Sequence, residues 1–473
     1  VVLSLQEDDS IYISGANPER SIYRVSGRSP IDKVTAIRIE AIPDARLPHG
    51  SSGRAENGSF NVSEFNIQKI NANNQTESIR VGESFSDFER GGEISAAFDE
   101  NPHTHWSIGG SSTECHVAIL KFESPITLNS NERISISIDS GEAYKHHGLG
   151  RFRISLTNTD STITDEQKFL YAKSATVPTQ KLAAALYLND DSSELEELLQ
   201  EHPKAGQWVG DLHLLEQDWE SAIVEFSRTI NSGNHSAKLF AKRARCYQAT
   251  KHWQLSANDW HRAIELERSY LHKAFQSFIE QSQWEIAATF GGKVANSSSD
   301  SQMQAIAATL RLAGEIEFYK LYCQKLIKKH SNSKDHKMAE RVCKACLLTE
   351  SKTLSENLPI ATLMRHLNSS QASSNAKTWS ALIIALHHVR SGLLDEAENH
   401  LEIARGNTAT QAKQFYEKCV GCLLQFKLGN TEESKRLLGI IETTYLNSQK
   451  ISNVQDDLII KALMKELRQL HFE

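Results

Sequence analysis

Two stretches of this chain, QDWESAIVEFSRTI (residues 217–230) and KHWQLSANDWHRAI (residues 251–264), align without a gap, Trp219 on Trp253. In the same frame Ala222 falls on Ser256, Phe226 on Trp260 and Ile230 on Ile264, and upstream Gly210 falls on Ala244. A period of this length is one helical hairpin that cannot bury its apolar face alone. The small residues Gly210, Ala222, Ala244 and Ser256 let the two helices of a hairpin approach closely. The large residues Phe226 and Trp260 fill the gap to the next hairpin, so neighbours are expected to stack. QSQWEIAA (residues 281–288) repeats the relation with Trp284 and Ala287. LAGEIEFYKLYCQKLI, turning at Gly314, is a weaker copy. Later copies place Ala397 after Gly392 and Ser434 after Gly429. The spacing drifts.

Outward toward the N-terminus the grammar changes. ERISISIDS (residues 132–140) alternates strictly, with Ile134, Ile136 and Ile138 on one side. RFRISLT (residues 151–157) does the same with Phe152, Ile154 and Leu156, and KVTAIRIEAI (residues 33–42) is rich in β-branched residues. Period-two runs between Gly, Asn, Ser and Pro clusters predict antiparallel sheet with one buried face. At this length a β-sandwich or jelly roll is expected. We therefore read residues 1–160 as an antiparallel β-sandwich, 161–178 as a linker, and 179–473 as an all-α helical-repeat solenoid, with Ser192 or Ser193 capping an early helix.

Composition bounds the function. Of 473 residues, 39% are hydrophobic and 23% charged, which excludes a disordered chain. Lys and Arg number 52 against 59 Asp and Glu, a net charge of −7. No global footprint for nucleic acid is expected. No apolar run is long enough to span a membrane. The seven cysteines lie mostly in helical patterns and read as buried thiols, which favours a cytoplasmic location. The sequence opens at Val1, not Met, and is read as continuing upstream; a membrane span there would place it outside the cytoplasm.

The repeat, over residues 204–442, resembles the tetratricopeptide repeat. SAAFDENPHTHWSIG (residues 95–109), with Ala97, Asp99, Thr104 and Trp106, resembles a stretch of discoidin-like, galactose-binding-like sandwiches. That resemblance implies that Trp106 plugs the sandwich and that loops at one end bind a ligand or a structural cation. VTAIRIEAIPDARLPHGSSGRAENGSFNVSEF (residues 34–65) is similar to a sandwich module of planctomycete proteins. FYKLYCQKLIKKHSNSKDHKMAERVCKACLLTES (residues 318–351) is similar to the helical tail of planctomycete serine/threonine kinases. Together they imply the C-terminal region of such a kinase. No Gly-rich loop with a strand Lys, no H-R-D loop and no D-F-G motif occurs, so no catalytic residue is assigned here.

The ligand-binding candidates lie in the β half: Asn57, Asp99, His103, His105, His146 and His147. With Asn101, the oxygens of Asp99 and Asn57 suit a loop calcium ion, or they cap their own turns. The histidines, with His116, suit a transition metal or sit in loops and edges. Two C-x-x-C pairs, Cys343/Cys346 and Cys419/Cys422, fall within helical patterns and read as structural thiols, so neither a metal nor a cofactor is assigned. The expected function is non-catalytic: a protein or peptide partner docked on the repeat groove and a ligand sensed by the sandwich. The alternative is a carbohydrate-binding sandwich fused to a repeat scaffold.

Overall fold

A computed structural model describes residues 1–140, 142–295, 300–405, 410–448 and 451–472. The chain divides into two compact units, Val1–Asn234 and His235–Glu473.

The first unit begins with β1 (Val2–Leu5), β2 (Ile11–Ser14), β3 (Ser21–Gly27), β4 (Lys33–Ala41), β5 (Asn61–Val62), β6 (Glu64–Ile70), β7 (Thr76–Ser78), β8 (Val81–Ser86), β9 (Trp106–Ser107), β10 (His116–Thr127), β11 (Arg133–Ser140) and β12 (Arg151–Thr157). The order β1-β2-β12-β4-β10-β8 makes a six-stranded sheet and β3-β11-β6-β7 a four-stranded one, with β5 and β9 as a separate pair. The pairings are antiparallel. Ile134, Ile136 and Ile138 all face inward, as the alternation predicts, and share one core with Val34, Ile37 and Ile39 of the other sheet. Trp106 is fully buried in that core, edge-on to Phe60 at 5.0 Å.

The stretch read as a linker, 161–178, holds helix α1 (Thr162–Lys173). Its Ile163 packs with Ala36, Val117 and Ile119 on the outer side of β4 and β10. Glu166 accepts from Arg38 Nε at 3.0 Å. The segment looks like a linker because its polar residues outnumber its apolar ones; Ile163 and the Glu166–Arg38 pair hold it on the sheet. Helices α2 (Pro178–Leu188), α3 (Ser192–Glu201), α4 (Gly206–Leu215) and α5 (Trp219–Asn231) complete the unit. The cap of α3 is Asp191, whose side chain accepts from the Glu194 amide, and not Ser192 or Ser193.

The second unit contains α6 (Ala237–Ala249), α7 (Trp253–Leu266), α8 (Tyr270–Glu280), α9 (Trp284–Val294), α10 (Met303–Ala313), α11 (Ile316–His330), α12 (His336–Cys346), α13 (Lys352–Ser355), α14 (Ile360–Leu367), α15 (Ser374–Ser391), α16 (Leu394–Arg405), α17 (Gln411–Lys427), α18 (Thr431–Leu446) and α19 (Val454–Phe472). Trp219, Trp253 and Trp284 each open the second helix of a hairpin. Ala222, Phe226, Ala244, Ser256, Trp260, Ala287, Ala397 and Ser434 are all fully buried.

Seven hairpin turns share one backbone. Asp190, Gln217, Lys251, Ser282, Gly314, Gly392 and Gly429 each have φ between 55° and 83°. In each, the following residue's N–H reaches five residues back, as Asp218 to His213 O (3.0 Å) and His252 to Tyr247 O (2.7 Å) do. This is a Schellman closure, which satisfies the last carbonyls of the first helix.

Candidate functional site

The turn residues among the candidates are the easiest to place. Asn57 Oδ1 accepts from the Ser59 amide at 3.0 Å. Asp99 Oδ1 accepts from the Asn101 amide and from Thr104 Oγ1, both at 2.9 Å. Each carboxylate or amide oxygen closes its own turn, which accounts for these residue types without an ion. His103 is exposed, its amide donating to Asn101 Oδ1. His116 is buried elsewhere, between Ser112 Oγ (2.8 Å) and Asp87 Oδ2 (3.3 Å). Among the described residues, no three His, Cys, Asp or Glu side chains converge to hold a metal ion. Cys343, Cys346, Cys419 and Cys422 are buried.

Two candidate histidines do come together, around a residue that the sequence reading passed over. Tyr144, 55% exposed, lies with its ring edge-on to His105 at 5.3 Å and 5.6 Å from His147. His147 Nδ1 stands 2.8 Å from the Lys145 carbonyl, and His146 Nδ1 2.8 Å from that of Asn17. His105 Nδ1 is buried with no hydrogen-bond partner. Burial holds the His105 imidazole below the usual histidine range, a bond to the Gly91 carbonyl opposing it. An exposed phenol flanked by imidazoles offers a flat apolar face with polar atoms beside it. The available signal was Tyr144 in EAYKHHGLG, an aromatic two residues before the histidine pair.

The helical half differs from the expected open groove in one region. Helix α19 lies against α10, α17 and α18 and buries Leu458, Ile459, Ile460, Leu463 and Leu467. Glu466 takes two bonds from the buried Arg390 guanidinium (2.7 and 2.5 Å). Asp456 pairs with Lys344 at 3.0 Å, and that ammonium sits 3.2 Å from the Trp379 ring centroid. This face of α10 and α17 is occupied by the chain itself and offers no groove to a partner.

A different opening lies within the first unit. A cavity of about 710 Å³ is lined by residues of α1, α2, α3, α4 and α5. Lys168 Nζ reaches Glu216 Oε1 at 2.5 Å and Asp165 Oδ1 at 3.2 Å. Tyr187 donates to Glu216, and its hydroxyl lies 3.1 Å from His213 Nδ1. Arg228, beside the cavity, pairs with Glu196 Oε2 at 2.8 Å, and its Nε is 3.3 Å from Glu225 Oε2. Glu225 is 7% exposed, and that oxygen accepts no hydrogen bond. Burial pushes the Glu225 carboxyl above its ordinary range, against the pull of Arg228. Burial also raises Glu216, but bonds from Lys168 and Tyr187 outweigh it and leave that carboxyl lowered. Burial lowers His213, opposed by Asp218 and Glu216. Nothing in the sequence pattern marks this cavity: its carboxylates are spread from Asp165 to Glu225 and look like ordinary solvated helix faces.

No protein-family model matches this chain, and no curated protein matches it. Among the described residues, no helix is long and apolar enough to cross a membrane.

Proposed function

We propose that this chain is a non-catalytic protein-interaction and ligand-sensing region. It would pair a jelly-roll, galactose-binding-like module with tetratricopeptide-like hairpins that dock a segment of a partner protein. The observation that carries this reading is the cavity among α1–α5: it is open, built by helical hairpins, and lined by side chains from five separate helices. The small-residue contacts support the repeat reading, because Gly210 lies directly under the Phe226 ring. The order of the two modules, with the resemblances of residues 34–65 and 318–351, supports placing the region as the tail of a serine/threonine kinase. Selection of binders from a random peptide library on the whole chain tests the docking reading. Binders weakened by Asp190→Asn with Glu196→Gln are expected; a library that yields none overturns it. Phosphorylation by a longer protein with and without this region tests the kinase setting, where identical substrate choice argues against recruitment.

A second reading rests on Tyr144. An exposed aromatic ring beside two imidazoles suits the apolar face of a sugar, which makes carbohydrate the ligand of the β module. Glycan-array binding that is lost in Tyr144→Ala would favour it, and an empty array would remove it.

A further inference from the structure

We propose that the cavity among α1–α5 seats a lysine-rich segment of a partner protein, with a lysine ammonium at the carboxylates and its stem on the apolar floor. This rests on the docking reading above and specifies the partner's chemistry.

The charge balance is the first argument. Six carboxylates line the cavity, and the cations among them are spent. Lys168 serves Asp165 and Glu216, and Arg228 serves Glu196 and Glu225. Asp190 and Asp191 form no ion pair among the described residues, so the site keeps a negative surplus that attracts a cation. The spread of these groups is the second argument. They do not converge on one point, as a metal ion would require. Carboxylates distributed around a cavity suit a chain of separated positive charges.

The floor is the third argument. Leu195, Leu199 and Val209 line the same cavity. A lysine has four methylenes to lay on such a surface while its ammonium stays at the polar rim. The volume lies within the ~300–1,000 Å³ that ligand pockets span, which leaves room for a side chain with its flanking backbone.

The test uses the whole chain and a fluorescent lysine-rich peptide, with a glutamate-for-lysine peptide and free spermidine as the other arms. The lysine peptide is expected to bind, weakening as salt rises, and the glutamate peptide to fail. Asp190→Asn with Glu196→Gln is expected to weaken binding about tenfold or more, about 1.4 kcal/mol per tenfold, with an unchanged melting curve. Asp190→Lys is a second variant; its left-handed turn tolerates lysine, because Lys251 holds the equivalent turn at φ 61°. It is expected to abolish binding. No peptide binding at low salt, or equal binding by both variants, overturns the proposal. Binding of spermidine without the peptide also overturns it, in favour of a free polyamine. Library binders that map to the cavity but are acidic or apolar overturn the lysine assignment and leave the docking reading standing.

Discussion

Gly210 and Phe226 show how closely two helices meet at a single residue. A Cβ on Gly210 would lie 2.6 Å from the Phe226 ring, and that ring is fully buried. Alanine improves helix propensity by about 1 kcal/mol over glycine, but overpacking a core costs about 1–3 kcal/mol. Gly210→Ala is therefore expected to lower the urea midpoint, and a rise would refute the close approach. Asp44 carries a pH dependence. Hydrogen bonds from Arg46, with Arg151 beside it, hold its carboxyl down to about 2. Its folded-state pKa is depressed, so its stabilisation is present above the unfolded value near 3.8 and is lost as pH falls toward 2. Below pH 4 the β module is expected to weaken by up to about 2 kcal/mol. An Asp44→Asn variant whose acid profile matches the parent would show that the pairing contributes nothing. At this scale the sequence was legible wherever a residue type has one structural use: Ala222, Trp260 and Ser434 were all identifiable as packing positions. Asp99 and Asn57 were not decidable, because calcium ligation and turn capping call for the same oxygens.

The helical hairpin is the element that recurs, and its turn repeats more faithfully than its helices. Four of the seven left-handed turn positions hold Asp, Gln, Lys or Ser in place of glycine. A left-handed residue with a Cβ costs about 1–2 kcal/mol, while glycine loses about 0.5–1 kcal/mol of backbone entropy. Lys251→Gly is thus expected to stabilise the chain by about 0.5–1 kcal/mol. Gly392→Ala is the converse: no atom lies within 4 Å of the added Cβ, so its loss measures the backbone term alone. Equal melting temperatures for parent and both variants would contradict the shared turn. Turns without glycine escape a search for that residue. Helix α19 is held differently. Removing Glu466 leaves the Arg390 guanidinium, 1% exposed, without its carboxylate. Glu466→Ala is expected to cost about 3–5 kcal/mol, as broken buried pairs do, read as a lower denaturant midpoint. A loss below about 1 kcal/mol would place the pair in solvent.

At the scale of the molecule, the two compact units meet at Asn234/His235, 74 residues beyond the end of the predicted sandwich at residue 160. A fragment of residues 1–160 lacks Ile163 and Glu166, and so bares Ala36, Val117 and Ile119 and leaves Arg38 without one of its partners. Residues 1–234 are expected to melt cooperatively and at higher temperature than residues 1–160; the reverse order would mean that α1 does not stabilise the sheet. What the sequence determined by itself is local: period-two runs set the strands, a drifting repeat of aromatic and small residues set the hairpins, and buried small residues set where helices touch. These follow from chain geometry, which places neighbours in sequence on the same face. What only the tertiary structure decided is which faces are closed and which remain open. Helix α19 fills one face of the helical half, α1 covers a sheet, and carboxylates from three helices and two interhelical turns surround a cavity with Tyr187 and His213. Those groupings join residues dozens of positions apart through packing, and no periodicity within one element encodes them.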